Sequence, residues 1–480
     1  MALTRILLWL GNSFVMCAVM MAITAICGVT LLEFSNALRF AFLTVITGVI
    51  GALFIFTTRN TPARESNSDA LAFLLLFWAV MPVVMALPYM VSGATQNFAT
   101  AYFEAVSAVT TTGASTLSAD ALPASLLLWR SILQWFGGVS AATFAVVVLA
   151  ALNLSGTGVH RSMLFTLKSG ELFVRLVGIG QVIAGIYLGL SAICFISLIL
   201  AGTPIFEALC LSLTSVSTGG LTPRDGPIAE YVGPAGAMIL ALFCLLGAAS
   251  VAVLWDIMRK RGLHNQLVIF HHIEHRILFS IAAVLVLLGI AYAGPLHLST
   301  IVPEAIFFVS STGYDYQVIG VELVPPAILI AIALIGGAAL STTGGVKIIR
   351  LFLLFKHLGT DLNRLPHPSR VLPIRLRGRI IPDQAFLSIW MYFFGYTLLL
   401  GLGVVALAAT GLGLETSVSA SAASLANMGP LLDTTMTGTT FRDFTSLQQC
   451  ISAVIMLFGR VEVLAVFAAA SSVTLRQRWI

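Results

Sequence analysis

Thr110-Thr111-Thr112-Gly113, Ser217-Thr218-Gly219-Gly220, Ser311-Thr312-Gly313-Tyr314 and Asn427-Met428-Gly429-Pro430 are four short polar segments that interrupt an otherwise apolar chain. Non-helical backbone at membrane depth is tolerated only where it is buried in protein or lines a water-filled path. Carbonyls exposed there can replace the hydration shell of an ion. The position of these segments between hydrophobic spans decides the fold.

The chain of 480 residues is 58% hydrophobic and 9% charged, with a mean hydropathy of +1.00. Soluble domains carry far more charge. Ten apolar runs are long enough to cross a hydrocarbon core of about 30 Å: residues 7–32, 38–57, 71–92, 124–152, 176–201, 232–256, 277–294, 323–342, 385–409 and 446–470. The first follows Arg5 in the manner of a signal peptide, but it outruns the usual apolar core and a second span follows at once, so it reads as a helix. The six cysteines (Cys17, Cys27, Cys194, Cys210, Cys244 and Cys450) form no C-x-x-C pair and indicate neither a metal site nor a disulfide frame.

The net charge of +5 is informative by location, because retained Lys and Arg set topology. With both termini in the cytoplasm, most basic residues fall on that side, including the loop RLPHPSRVLPIRLRGR from Arg364 to Arg379. Arg39, Arg130, Arg224 and Arg442 fall outside, and Lys347 and Arg460 lie within the membrane. The basic loop follows the positive-inside rule and leaves room for a cytosolic partner to dock.

Beyond the first two spans, the other eight form four pairs, with a short amphipathic stretch before each polar segment: 100–109, 204–216, 303–309 and 415–425. At about 1.5 Å of rise per residue these are too short to span, so each re-enters from the outer face. The expected fold is an all-α polytopic membrane protein with four parallel helix–pore-helix–helix repeats around one pseudo-fourfold pore, preceded by two extra transmembrane helices. The expected units are 1–68 for the two extra helices and 69–160, 161–262, 263–372 and 373–480 for the repeats.

A dehydrated monovalent cation needs several oxygens held close together. Extended or left-handed backbone supplies carbonyls, glycine permits the angles, and Thr or Ser adds hydroxyls. The half-helix before each strand directs its partially negative C-terminus toward the axis. The candidate filter is Thr111, Thr112 and Gly113; Ser217, Thr218 and Gly219; Ser311, Thr312 and Gly313; and Asn427, Met428 and Gly429. Close helix packing alone would account for small residues, but not for Thr-Thr-Thr or Asn-Met-Gly between spans.

Further motifs accompany these segments: Trp129-Arg130-Ser131, Gln134-Trp135-Phe136-Gly137-Gly138, the run Gly336 to Arg350, and Gly459-Arg460-Val461-Glu462. Together they resemble the TrkH family of bacterial Trk potassium uptake systems, within the Trk/Ktr/HKT cation transporter superfamily. The resemblance covers nearly all of the chain from about residue 70. The two extra N-terminal spans are closer to TrkH than to the eight-helix KtrB branch. The resemblance implies K+ as the transported ion, bound at the filter residues. It also implies a homodimer in the inner membrane and a cytosolic TrkA-type ring that binds nucleotides. Val139-Ser140-Ala141-Ala142 and Ser341-Thr342-Thr343 depart from more glycine-rich family patterns.

The glycine-rich run in the eighth span should break its helix. The candidate gate comprises Ser341, Thr342, Thr343, Gly344, Gly345, Lys347 and Arg460. A simple kink is the plainer alternative. Arg460, near the middle of the last span, should face the interior, because an unpaired Arg at the bilayer centre costs at least about 2.5–3.5 kcal/mol. It is expected to contact carbonyls of the 341–345 loop and, with Lys347, to form a positive barrier; pairing with Glu104 or Glu304 is the alternative. Those two glutamates should brace the backbone behind the filter, while Asp315 lies just outside it. His271, Glu274 and His275 share a helix face at zinc-compatible spacing, but their basic surroundings favour a solvated segment. No nucleophile–base pair, phosphate loop or dinucleotide fingerprint is present, so neither an enzyme nor an organic cofactor is expected. Membrane lipid is an expected partner and nucleic acid is not. The rival mechanism, K+ symport with H+ or Na+, would need a titratable carboxylate such as Asp256 or Glu462.

Overall fold

The computed structural model describes residues 3–59, 67–151, 172–259, 272–316, 321–366, 373–376, 379–381, 383–435 and 437–461. Two uninterrupted apolar helices, α1 (Leu3–Thr30) and α2 (Phe34–Thr58), form a hairpin against the first repeat. The turn between them carries Glu33. Its carboxylate accepts hydrogen bonds from the Ala124 and Ser125 backbone nitrogens (2.7 and 3.1 Å). An acid is favoured at a helix N-terminus, where unpaired N–H groups collect, so Glu33 fastens the hairpin to the helix that begins at Ala124.

Four units follow. The first is α3 (Asn67–Val91), α4 (Phe98–Val109) and α5 (Ala124–Ala151). The second is α6 (Leu172–Leu200), α7 (Ile205–Val216) and α8 (Ala229–Ala248), continued after a break by α9 (Val251–Arg259). The third is α10 (Ile273–Ala293), α11 (Leu298–Val309) and α12 (Pro326–Ile335), continued by α13 (Ile348–Arg364). The fourth is α14 (Asp383–Ala408), α15 (Leu414–Leu425), the single turn α16 (Leu431–Thr434) and α17 (Ser446–Arg460). A two-residue antiparallel pairing of β1 (Arg375–Leu376) with β2 (Arg379–Ile380) lies between α13 and α14.

The units pack in cyclic order: α5 on α7, α8 on α11, α12 on α15, and α17 back on α4. Polar contacts close the last joint. Asn97, the N-cap of α4, donates to Ser446 Oγ at 2.7 Å, and Thr100 Oγ1 donates to Gln449 Oε1 at 3.0 Å. The fold is thus an all-α polytopic membrane protein with four parallel repeats around one pseudo-fourfold axis.

Composition sorts surface from interior. Leu188, Leu200, Phe394 and Leu402 are exposed on the long helices, as lipid-facing residues must be, while the short helices α4, α7, α11 and α15 are largely buried. Even α15, with the sequence LETSVSASAASL, is buried. Two of its serines find backbone partners: Ser417 Oγ donates to Gly413 O at 2.9 Å, and Ser421 Oγ to Leu400 O at 3.1 Å. Such bonding makes burial of a hydroxyl tolerable.

Four expected spans differ. Among the described residues, the seven helices long and apolar enough to cross a membrane are α1, α2, α3, α6, α8, α10 and α14; α5 of the fourth expected span is not one of them. The sixth expected span breaks at Ala249–Ser250 into α8 and α9. The eighth contracts to the ten residues of α12, because the chain leaves the helix at Gly336 (φ +71°). The tenth ends at Arg460, with Val461 extended, and the rest of that span lies outside the described residues. The third short helix starts at Leu298, with Pro303 inside it, rather than at Pro303.

The last helix of the first unit, α5, approaches α4 where Gly137 faces Val109: a Cβ on Gly137 would stand 1.8 Å from the Val109 carbonyl oxygen. Gly137→Ala should therefore cost about 1–3 kcal/mol through overpacking. Gly185→Ala, with no atom within 4 Å of the added Cβ, should not lower stability. Thermal unfolding of the two detergent-solubilised variants tests the contrast.

Candidate functional site

All four short helices end in the same way. The residue after each C-cap is left-handed: Thr111 (φ +56°), Thr218 (+52°), Ser311 (+58°) and Asn427 (+49°). The next backbone N–H reaches back to a carbonyl in the last helical turn: Thr112 to Ser107 (2.9 Å), Gly219 to Thr214 (2.8 Å), Thr312 to Phe307 (3.0 Å) and Met428 to Ala423 (2.9 Å). This is a Schellman termination, which ordinarily places glycine at the left-handed position. A non-glycine residue there is strained by about 1–2 kcal/mol. Among the described residues, six of the seven non-glycine positive φ values fall in these strands or in the 340–347 loop.

The terminations set the register of the strands. Thr111-Thr112-Gly113 corresponds to Thr218-Gly219-Gly220, Ser311-Thr312-Gly313 and Asn427-Met428-Gly429. The expected set Ser217, Thr218 and Gly219 sits one place early, and Gly220 (φ +80°) is the counterpart of Gly113 (φ +78°) and Gly313 (φ +67°). The strands touch in sequence around the axis. A Cβ on Gly113 would meet Gly219 O at 2.3 Å, one on Gly220 would meet Thr312 O at 2.2 Å, and one on Gly313 would meet Pro430 Cβ at 2.8 Å. One on Gly429 would meet Ala114 N at 2.2 Å. The Gly429 N–H also donates to Thr112 O at 2.6 Å, joining the fourth strand to the first.

Braces surround this ring. Glu104 is fully buried and accepts hydrogen bonds from Ser115 Oγ (3.0 Å), the Thr116 backbone N–H (2.6 Å) and the Leu117 backbone N–H (3.2 Å). Glu304 accepts from the Val321 N–H at 3.1 Å. Both glutamates brace backbone beyond their strands. Tyr314 directs its hydroxyl to Thr214 Oγ1 (2.5 Å), tying the third strand to α7.

On one side of the ring lies a cavity of about 350 Å³, reached by Gly113, Gly220, Gly313 and Pro430 and edged by Asp225, Asp315, Glu322 and Asp433. Asp225 draws three loops together, accepting from Ser118, from Ala119 N (3.1 Å) and from Arg442 Nη2 (2.6 Å). Burial acts to raise its carboxyl, but these bonds outweigh burial and hold it below the usual range. Asp433 is different: the cavity walls push it up to about 6, with Arg442 opposing and Asp315 and Asp443 adding. Burial also raises Asp315. Glu322 is raised by burial and by its carboxylate neighbours Asp315 and Asp433.

On the other side, where the short helices end, lies the loop between α12 and α13. A Cβ on Gly344 would stand 1.8 Å from the Ala426 carbonyl oxygen, and Thr342 Oγ1 lies 2.8 Å from Thr218 Oγ1. The loop therefore reaches the bases of the second and fourth strands. Its carbonyls face cations: Lys347 Nζ contacts Ser341 O (3.3 Å) and reaches Thr343 O, and Arg460 Nη1 donates to Thr342 O. The structure brings together the expected loop residues, Lys347 and Arg460, while Glu104 and Glu304 are engaged elsewhere.

The break in the second unit belongs to the same assembly. Ala338 N donates to Ala248 O (3.3 Å) and Val251 N to Leu340 O (3.2 Å). Glu274 and His275 are buried rather than solvated. Glu274 Oε2 accepts from Ala339 N at 2.6 Å, and His275 Nε2 accepts from Ser250 N at 3.2 Å. Two helix breaks leave donors that these side chains satisfy, which explains their burial. His271 lies outside the described residues, and no group of three potential metal ligands occurs among those described. Asp256 lies on α9, and Glu462 is outside the described residues.

A ring of four half-helix-and-strand units set among membrane-spanning helices defines a polytopic membrane protein of the four-repeat pore class. Residues 36–477 match the model of the TrkH family, described as a cation transport protein, and the chain belongs to this family of transporters rather than enzymes. It is 31% identical over 434 residues to the Trk system potassium uptake protein TrkH of Halomonas elongata, covering 88% of this chain and 89% of that protein. The protein of the same name in Escherichia coli K12 is 29% identical over 429 residues, covering 86% and 87%. The crystal structure of the potassium transporter TrkH from Vibrio parahaemolyticus superposes with a TM-score of 0.87 at 26% identity, covering 98% of each chain.

Glu104→Ala would leave the Thr116 and Leu117 N–H groups without their charged acceptor, costing about 2–3 kcal/mol. Thermal unfolding in detergent should place Glu104→Gln, which keeps one acceptor oxygen, between the wild type and the Ala variant.

Proposed function

We propose that this chain is the K+-translocating subunit of a Trk-type uptake system in a bacterial inner membrane. K+ enters down its electrochemical gradient through a filter built by the four strands. The observation that carries this reading is the closed ring of four Schellman-terminated strands. The strand carbonyls stand in for the ion's hydration shell, and the C-termini of α4, α7, α11 and α15 add partial negative charge. The filter residues are Thr111, Thr112, Gly113, Thr218, Gly219, Gly220, Ser311, Thr312, Gly313, Asn427, Met428 and Gly429, with Ser217 at the C-cap before the second strand. The repeats run 69–160, 161–262, 263–372 and 373–480, and both termini are cytoplasmic.

The acidic cavity concentrates cations at the entrance. An inside-negative potential supplies about 2.3 kcal/mol per charge per 100 mV, so uptake needs no chemistry in this chain. Ser341–Gly345 forms the gate, and Lys347 and Arg460 place positive charge beside it. A TrkA-type nucleotide-binding ring, docked on the basic cytoplasmic face of a homodimer, controls it. The names of the relatives, which are Trk system potassium uptake proteins, support the choice of ion and system.

In proteoliposomes, current should reverse at the K+ equilibrium potential and stay there as pH changes; a reversal that moves with pH would mean coupled transport. Arg460→Gln should raise basal K+ flux by roughly tenfold, the effect of removing about 1.4 kcal/mol of electrostatic barrier; unchanged flux in a folded variant would remove Arg460 from the gate.

Protonation of Asp433 removes negative charge from the entrance, so K+ flux should fall as external pH drops through about 6. Asp433→Asn should lower flux at pH 7.5 and flatten that dependence, as measured by flux at fixed K+ across external pH.

A further inference from the structure

The four strands are not held alike. In the first, Thr110 Oγ1 and Thr112 Oγ1 pair at 2.7 Å; in the third, Ser310 Oγ and Thr312 Oγ1 pair at 2.9 Å. In the fourth, Asn427 Nδ2 donates to Thr112 Oγ1 and to Met456 O, each at 3.0 Å. The second strand has Gly219 where the first and third have threonine, so it lacks this internal hydroxyl pair. Two other groups brace it. Gln134 Nε2 donates to Gly219 O at 2.5 Å, and the Thr218 hydroxyl meets Thr342 Oγ1 at 2.8 Å.

Thr342 is no part of the strands. It lies in the loop between α12 and α13, fully buried, with its carbonyl accepting from Arg460 and its hydroxyl also 3.3 Å from Gly247 O. Thr218, also fully buried, holds a left-handed conformation that non-glycine residues keep only where surrounding contacts enforce it. Withdrawal of the loop would remove a hydroxyl partner from a strained residue.

We propose that Thr342 is a specificity-determining positioning residue, whose hydroxyl holds the second strand through Thr218, so that ion selectivity depends on where the loop sits. The proposal rests on the strands acting as the filter and the loop as the gate. It assigns the coupling to one wall of the ring and one pair of hydroxyls. Discrimination between K+ and Na+ is sharpest with the loop in place and relaxes as it moves. Coupling is reciprocal, so a change at Thr218 must also bias the loop.

The test uses the full chain in proteoliposomes, with K+/Na+ permeability ratios from bi-ionic reversal potentials and basal K+ flux from the same preparations. Thr342→Val keeps the shape and removes the hydroxyl, and should lower the ratio roughly three- to tenfold, as expected for loss of one buried hydrogen bond. Thr342→Ser should retain the ratio. Thr218→Val should lower it to a similar degree and also raise basal flux, and the double variant should fall no further than either single change.

A wild-type ratio in Thr342→Val, with a lowered ratio in Thr218→Val, would overturn the coupling and leave the filter reading standing. Additive losses in the double variant would overturn it as well. Unchanged ratios in Thr342→Val, Thr218→Val and Thr112→Val together would overturn the filter reading itself. If Thr342→Val does not fold, Thr218→Val decides: unchanged basal flux overturns the coupling and raised flux supports it.

Discussion

Each strand in the ring stands against the next, with a glycine at each joint. The volume that a side chain on Gly113, Gly220, Gly313 or Gly429 would fill is taken by the neighbouring strand. Non-helical backbone inside a membrane survives only where protein shields it from lipid, and a ring is the arrangement in which every such segment shields another. The surrounding helices follow from this requirement. Half-helices must end at the ring, and full helices must stand outside them. The last unit must return to the first, as the Asn97–Ser446 and Thr100–Gln449 bonds record.

A similar requirement operates on the other side of the ring. Breaking two helices at Ala249–Ser250 and Gly336–Lys347 frees backbone groups that lipid could not satisfy. They are met by each other, by Glu274 and His275, and by the half-buried cations of Lys347 and Arg460. The polar groups of this layer are therefore structural partners first, and in the proposed gate their charge acts on an ion only because the fold already needs them there. Glu104 follows the same rule: its negative charge is met by backbone donors, whereas Asp315, Glu322 and Asp433 line the cavity.

Much of this was legible in the sequence because membrane thickness imposes a length rule. Spans, half-helices, their common orientation and the break around Ser341 follow from run lengths and polar interruptions. The placement of Arg460 against the loop followed from the energetic penalty of an isolated charge. What escaped reading is what lacks a length signal. The one-residue register of the second strand depends on a left-handed turn at Thr218, and threonine gives no hint of that conformation. The break between α8 and α9 occurs in Gly247-Ala248-Ala249-Ser250, a run compatible with an unbroken helix. Glu274 and His275 looked solvated because their partners, the N–H groups of Ala339 and Ser250, exist only where those helices break.

The ring is made by one chain, and this has a consequence for how it can change. In an assembly of four identical subunits, any substitution alters all four walls at once, and a change tolerable in one wall is imposed on the rest. Here each wall is separately addressable. The fourth can carry asparagine and methionine, the second can give up a hydroxyl, and the third helix pair can be interrupted by a loop, while the remaining walls keep their geometry. The fourfold ring is retained while the walls divide their labour, with gradual tuning open to each.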